Sequence, residues 1–136
     1  MFIKNLLKYL KKKYDYSCLE NVLNLKPSAE LKPTNKKQFD EDDLMPYNIL
    51  SEIERCFVKE RKGPREIYNI LKRKELSDDE SLKKNIKNFF KLLATNQWKR
   101  ERTAPSFHFD DYSLDASTWF RFPILSNNFK EEIDSL

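Results

Sequence analysis

Ile3, Leu6, Leu7 and Leu10 recur at i, i+3, i+4 and i+7, a stripe that predicts an amphipathic helix over residues 2–13. Lys11, Lys12 and Lys13 close it, where cations favour the negative end of the helix dipole. A shorter helical piece is expected over Cys18–Leu23. Residues 24–46 lose all periodicity and carry Pro27, Pro33 and Pro46. Irregular stretches of that length in a small domain are usually functional or mobile. Pro46 at a first helical position then opens a helix with Tyr47, Leu50, Ile53 and Phe57 on one face. Gly63-Pro64 separates it from a helix over about 64–75, striped by Ile67, Ile70 and Leu71. Ser77-Asp78-Asp79-Glu80 reads as a capping box, with the Ser77 hydroxyl accepting from the Glu80 amide while Glu80 reaches back. It opens the longest helix, about 78–98, with Leu82, Ile86, Phe89, Phe90 and Leu93 facing inward. Beyond it the chain is irregular but aromatic, through Phe107, Phe109, Tyr112, Trp119, Phe120 and Phe122. So many rings predict a tail wrapped over a core. No segment reads as a strand.

Composition sharpens this picture. At 136 residues the chain forms one domain at most, with room for one modest core. The single glycine argues against a self-contained α/β domain and for helices joined by Pro, Asn and Ser turns. The net charge of +4 comes from interspersed cations and anions, which suits an anionic ligand and does not demand nucleic acid. Cys18 and Cys56 have no metal-ligand spacing, and apolar neighbours predict two reduced, buried thiols. The opening Met1-Phe2-Ile3-Lys4 begins neither a secretory signal nor a membrane span, so a soluble, cytoplasmic protein without membrane attachment is expected.

Two segments carry candidate chemistry. Asn96–Asp111 gathers Lys99, Arg100, Arg102, Trp98, His108 and a carboxylate pair in a short span. Its cations either bind a phosphate or carboxylate or solvate a helix C-terminus, and composition leaves these evenly matched. His108 has no nucleophile beside it and is expected to pack or cap; Asp110-Asp111 is expected to bond within a turn. The second segment runs from Pro27-Ser28-Ala29-Glu30-Leu31-Lys32-Pro33 to Gln38-Phe39-Asp40-Glu41-Asp42-Asp43-Leu44. A hydroxyl, a lysine and a carboxylate row could close over a phosphate and its magnesium. The plainer alternative outweighs that: Asp40–Asp43 supplies negative charge ahead of the helix starting near Pro46.

In order and spacing these segments resemble NAD+ synthetases. Pro27-Ser28-Ala29-Glu30-Leu31, then Gln38-Phe39-Asp40-Glu41 and Leu44-Met45-Pro46-Tyr47, is similar to that family's P-T/S-A-E/D-L … Q-x-D-E-x-x-L-x-x-Y loop. Asn96-Gln97-Trp98-Lys99-Arg100-Glu101-Arg102 with Ala104-Pro105-Ser106-Phe107-His108 resembles its C-terminal ligand-binding segment, closest to the long, glutamine-dependent form. Trp119-Phe120-Arg121-Phe122-Pro123-Ile124-Leu125-Ser126 is similar to the end of such enzymes. The resemblance implies a mainly α chain: the helical C-terminal segment of an α/β, ATP-pyrophosphatase-type domain whose sheet-forming half is absent. It implies adenylation of the deamido-NAD+ carboxylate with ATP and Mg2+, then attack by ammonia to give NAD+. By motif position Ser28 contacts ATP phosphate, and Trp98 and Lys99 contact deamido-NAD+. Residues 1–24 are implied as helices, 25–46 as the flexible ATP-site loop, 47–98 as helices and 99–136 as the ligand-binding tail. No catalytic residue and no metal ligand is assigned to this chain.

The family's Ser-Gly-Gly-x-Asp-Ser ATP loop does not occur in the sequence, nor does the glutaminase domain with its Glu, Lys and Cys. The chain is therefore expected to begin partway through a synthetase domain and to be inactive alone. A companion chain carrying the missing half, and homo-oligomeric contacts when intact, are implied partners. Ser126-Asn127-Asn128-Phe129 stands where Ser-Gly-Gly-Phe is expected, and asparagine tolerates left-handed dihedrals better than most residues. Two alternatives stay open. One is a small basic helical module binding a polyanion or protein through Lys11–Lys13 and Lys99–Arg102; the other is a non-functional gene remnant.

Overall fold

The computed structural model describes residues 2–28, 39–102, 104, 111–123 and 129–136. These form two compact units, Met1–Asn48 and Ile49–Leu136. Expectations for Ala29–Gln38, His108, Asp110 and the Asn127-Asn128 pair fall outside the described residues. Every regular element among the described residues is helical, as the patterning predicts.

In the first unit α1 (Phe2–Tyr14) packs on α2 (Leu19–Asn24). The predicted stripe exists, but neither helix buries a residue: Leu7 and Leu10 are half-buried while Ile3 stays 70% exposed. Cys18 is exposed, which corrects the expectation of a buried thiol; it sits just ahead of α2 on a helix too short to cover it. The acidic run forms a single helical turn, α3 (Asp40–Asp43), inside a stretch whose lack of periodicity predicted only loop. One turn is too short to show a stripe.

The second unit has the core. The helix α4 (Tyr47–Glu54) runs on into a π-helical segment, Arg55–Lys59. Three consecutive side chains, Cys56, Phe57 and Val58, are buried there. A regular helix turns 100° per residue and cannot aim three neighbours at one core, whereas the wider π turn brings them closer to one side. Of the predicted face Ile53 and Phe57 are buried, Tyr47 and Leu50 are half-buried, and Ile49 is buried beside them, outside the predicted set. Then α5 (Pro64–Lys72) buries Ile67 and Leu71, and α6 (Asp79–Thr95) buries Leu82, Ile86 and Phe90 against it.

The start of α6 differs from the predicted capping box by one position. Asp78 has extended backbone and its carboxylate accepts from the Ser81 amide at 2.8 Å. Ser77 Oγ is buried without a hydrogen-bond partner. Lys72 and the Tyr68 hydroxyl meet the Asp79 carboxylate at 2.8 and 2.5 Å, and these contacts, Lys72 first, hold its pKa down at about 2.

Glycine scarcity is met in an unexpected way. Asp15, Arg61 and Glu75, just past α1, the π segment and α5, adopt left-handed backbone with φ of 53°, 58° and 50°. Helix ends usually recruit glycine for this conformation. The sole glycine, Gly63, instead precedes α5 with ordinary φ, its amide donating to Glu66 Oε2 at 3.0 Å.

Among the described residues of the aromatic tail, Phe120 and Phe122 pack on the core, Trp119 stays 44% exposed, and Phe107 and Phe109 lie outside the described residues. Phe57 meets Phe89, Phe90, Phe120, Phe122 and Phe129, with centroids 5.1–6.1 Å apart and edge-to-face tilts. Phe120 is fully buried. The short α8 (Lys130–Asp134) packs on α5 and α6, and Arg65 donates to Ser135 Oγ at 2.8 Å.

Candidate functional site

The cationic segment is built on the turn that follows α6. Asn96 ends that helix, its side-chain amide donating to the Leu92 carbonyl at 2.9 Å. A fresh turn, α7 (Gln97–Arg100), begins at once and extends through an Arg102 amide to Lys99 carbonyl bond of 3.1 Å. Helical spacing then sorts its side chains. Gln97 and Arg100 lie at i, i+3 and turn inward; Trp98 and Arg102 lie at i, i+4 and turn outward.

The inward pair is structural. Gln97 is 1% exposed; its amide donates to the Leu93 carbonyl at 2.8 Å, and its oxygen accepts from Arg100 Nη1. Arg100 also donates from Nε to the Leu114 carbonyl at 2.8 Å and from Nη2 to the Phe120 carbonyl. Its guanidinium lies 4.8 Å over the Phe120 ring, and burial pushes its pKa below the usual arginine value. Arg100 thus straps the tail to α7 and leaves the set of candidate anion binders. The strap's far side is prepared by Asp115, whose carboxylate accepts from the Ser117 amide and whose carbonyl accepts from the Trp119 and Phe120 amides. Sequence reading missed this use of Gln97 and Arg100; their i, i+3 spacing with the apolar Leu93 one turn back was the available signal.

The outward face keeps the predicted residues together. Trp98 is 49% exposed, and Lys99 Nζ and the Arg102 guanidinium lie 5.8 and 5.3 Å from its ring centroid. Neither cation forms an ion pair among the described residues. Asp111 meets Lys59 Nζ at 2.5 Å, a contact between distant parts of the chain where only local turn bonding is predicted.

Ser28 belongs to the first unit, Met1–Asn48. Ser28 is exposed and outside regular structure. Next to it the Pro27 carbonyl accepts from the Asp40 amide at 3.2 Å, a bond that holds the two ends of the 28–39 stretch together. The acidic turn serves α4: Glu41 Oε1 accepts from the Tyr47 amide at 2.8 Å and Asp40 Oδ2 from the Tyr47 hydroxyl at 3.1 Å. A carboxylate on the first amide of a helix satisfies an orphan donor and the dipole together. Burial first, and then Asp40, push the Tyr47 hydroxyl pKa up. Asp40 and Glu41 are therefore engaged by Tyr47, and among the described residues no group of three or more His, Cys, Asp or Glu side chains gathers.

The NAD synthase family model matches residues 2–103. The glutamine-dependent NAD(+) synthetase of Drosophila melanogaster is 32% identical over 133 residues, covering 92% of this chain and 17% of that protein. The glutamine-dependent NAD(+) synthetase of Synechocystis is 33% identical over 104 residues, covering 76% of this chain and 16% of its own length. A crystal structure of a glutamine-dependent NAD(+) synthetase from Cytophaga hutchinsonii superposes with a TM-score of 0.79 at 37% identity, over 98% of this chain and 20% of that one. The chain spans about a sixth to a fifth of the length of these relatives.

Proposed function

The chain belongs to the NAD synthase family, and from that premise we propose that it is the helical, ligand-gripping portion of a glutamine-dependent NAD+ synthetase. The reaction it serves is ATP-dependent amidation of deamido-NAD+ through an adenylated carboxylate. Its own part is to bind and orient. Ser28 donates its hydroxyl to a phosphate oxygen of ATP, and Trp98 and Lys99 hold deamido-NAD+. Magnesium, which offsets charge as pyrophosphate leaves, would be held largely by residues other than those described here. The observation carrying this reading is the division of labour in α7: Arg100 is consumed by the tail, so Lys99 is presented outward on Trp98.

Alone, the chain is inactive, because half of a phosphate site cannot align the reacting groups. A companion bearing the Ser-Gly-Gly-x-Asp-Ser loop and an ammonia source completes it, in an assembly that is homo-oligomeric, cytoplasmic and independent of nucleic acid. No described helix is long and apolar enough to cross a membrane. The test is NAD+ formation from deamido-NAD+, ATP and ammonium. The expected result is no turnover by the purified chain and turnover once a chain carrying the missing loop is added. Turnover by the chain alone overturns the dependence on a companion; silence in both arms overturns the synthetase role.

A second reading rests on α1, where Lys4, Lys8, Lys11, Lys12 and Lys13 border exposed Phe2, Ile3 and Leu6 with no acidic residue in the helix. Such a face suits a polyanion or an acidic protein. Binding to nucleic acid that falls steeply with salt would favour it.

A further inference from the structure

We propose that the cleft between α1 and α2 binds a compact oligophosphate, an anion whose phosphates stand next to one another, through Lys4, Lys8 and Lys12. This narrows the polyanion reading of α1, on which it rests, to one place and one ligand class, and it is independent of the synthetase role. The cleft has a volume of about 690 Å³ and lies within the first unit. Lys4, Lys8, Lys11 and Lys12 line it from α1, and Leu23 and Asn24 line it from α2. Lys4, Lys8 and Lys12 follow one another at i, i+4 and i+8, so their stems rise from one side of the helix over roughly 12 Å. None of the three forms an ion pair among the described residues.

That arrangement works against the helix. Like charges at i, i+4 repel, and Lys4 stands in the first turn, where the dipole is positive and α1 has no acidic residue. An anion drawn between the ammonium groups turns the repulsion into attraction. Lysine is a compact charge with three rotatable donors, so it meets phosphate oxygens without a fixed approach. Lys11 is set apart: it pairs with Glu20, whose carboxylate also accepts from the Asn24 side-chain amide at 3.5 Å. Glu20 and the exposed Asp15, which follows α1, place negative charge at the cleft's end nearest the helix C-terminus. Four lysines against these two carboxylates leave an excess of two positive charges. A nucleic-acid strand running along α1 would meet both carboxylates with its phosphates. A short run of adjacent phosphates reaches from Lys4 toward Lys12 without doing so, and it carries enough charge to engage all three ammonium groups.

The test is isothermal titration calorimetry on the full chain, with tripolyphosphate, pyrophosphate and orthophosphate as probes. Tripolyphosphate is expected to bind at least about tenfold more tightly than orthophosphate, the difference one added charge-assisted contact makes. Lys8 lies one turn from both Lys4 and Lys12. Lys8→Ala should lower tripolyphosphate affinity at least about fivefold, and Lys8→Arg should keep it, because the charge is retained. Glu20→Gln removes a carboxylate and releases Lys11, so it should raise affinity, a gain that loss of structure cannot produce. Ser28→Ala, and Lys84→Ala on α6, should leave affinity unchanged. Equal affinity for orthophosphate and tripolyphosphate, affinity that survives Lys8→Ala, or a drop on Ser28→Ala overturns the cleft. So does displacement of tripolyphosphate by a single-stranded oligonucleotide or by phosphatidylserine vesicles at equal phosphate concentration. Oligonucleotide binding without tripolyphosphate binding overturns the cleft and keeps the wider polyanion reading; binding of neither overturns both. NAD+ turnover enters none of these measurements.

Discussion

Removing the Phe57 ring is the perturbation that most directly tests how the tail is attached. Phe57 is almost fully buried in the π segment and touches five other rings, three of which (Phe120, Phe122 and Phe129) come from the C-terminal tail. Truncating a core phenylalanine to alanine costs about 3–5 kcal/mol through lost transfer energy and the cavity left behind. Edge-to-face pairs add about 0.5–1.5 kcal/mol each beyond burial, so Phe57→Ala belongs at the upper end, about 4–5 kcal/mol. A unit of this length has a total stability of about 4–13 kcal/mol, so the variant should be marginal. Both tryptophans, Trp98 and Trp119, lie in the second unit, so urea unfolding followed by their fluorescence reports on that unit. Phe57→Leu keeps most of the volume but loses the ring geometry, and a cost of about 1–2 kcal/mol is expected. A loss below about 1.5 kcal/mol for Phe57→Ala would refute the ring cluster as the tail's anchor. Equal costs for the two variants would refute the volume argument.

Four further outcomes follow from particular contacts. Asp78→Ala should lower the denaturation midpoint while Ser77→Ala leaves it unchanged or raises it, because Asp78 caps α6 and Ser77 Oγ is buried unbonded. Arg100→Ala should expose the tail to limited proteolysis near Leu114–Phe120, and Arg100→Lys should not restore protection, since one ammonium cannot reach the three acceptors Arg100 serves. Burial raises the Glu54 carboxyl pKa, so the folded state binds that proton more tightly than the unfolded; the stability it contributes is present at low pH and lost as pH rises through the raised value. Glu54→Gln should therefore match the parent near about pH 4 and exceed it in Tm near about pH 7, an excess that would be missing if burial did not disfavour the charge. Amide hydrogen exchange should be fast throughout α1 and α2, which bury no residue, and slow in α5 and α6; equal protection would contradict the division of the core.

Periodicity made the helices legible because it reports burial, and burial is strongest where elements are long. The stripe of α6 was readable for this reason, with Leu82, Ile86 and Phe90 all in the core. The same rule found Ile53 and Phe57 but missed Cys56 and Val58, since the π segment changes the angular step within a continuous helix and brings their side chains inward too. The cap of α6 was misplaced by one because Ser77, Asp78 and Asp79 are all competent caps, and backbone geometry, not residue type, decides among them. The left-handed ends at Arg61 and Glu75 were invisible, because neither residue type favours that conformation; Asp15 is of a type enriched there, but it is one of many aspartates in the chain. The stripe of α1 was legible as a pattern, yet its exposure could not be: a pattern says which face wants burial, not what supplies it.

The candidate site shows the same division at the scale of one turn. Lys99, Arg100 and Arg102 are equivalent as charges, and no count of cations separates them. What separates them is that the turn after α6 starts at Gln97, so Arg100 falls one turn beyond a buried glutamine while Trp98 and Arg102 share the outer side. Once Arg100 faces inward, its charge must be met by carbonyls, and the tail provides them at Leu114 and Phe120 only because Asp115 turns the chain there. The aromatic tail therefore does more than cover the core: by occupying the inward guanidinium, it leaves Lys99 and Arg102 with the exposed indole as their neighbour. A loose tail would return Arg100 to solvent and leave the three cations equivalent again. The outward placement of Trp98 and Lys99, on which the proposed ligand contacts rest, accordingly depends on packing around Phe57 and Phe120.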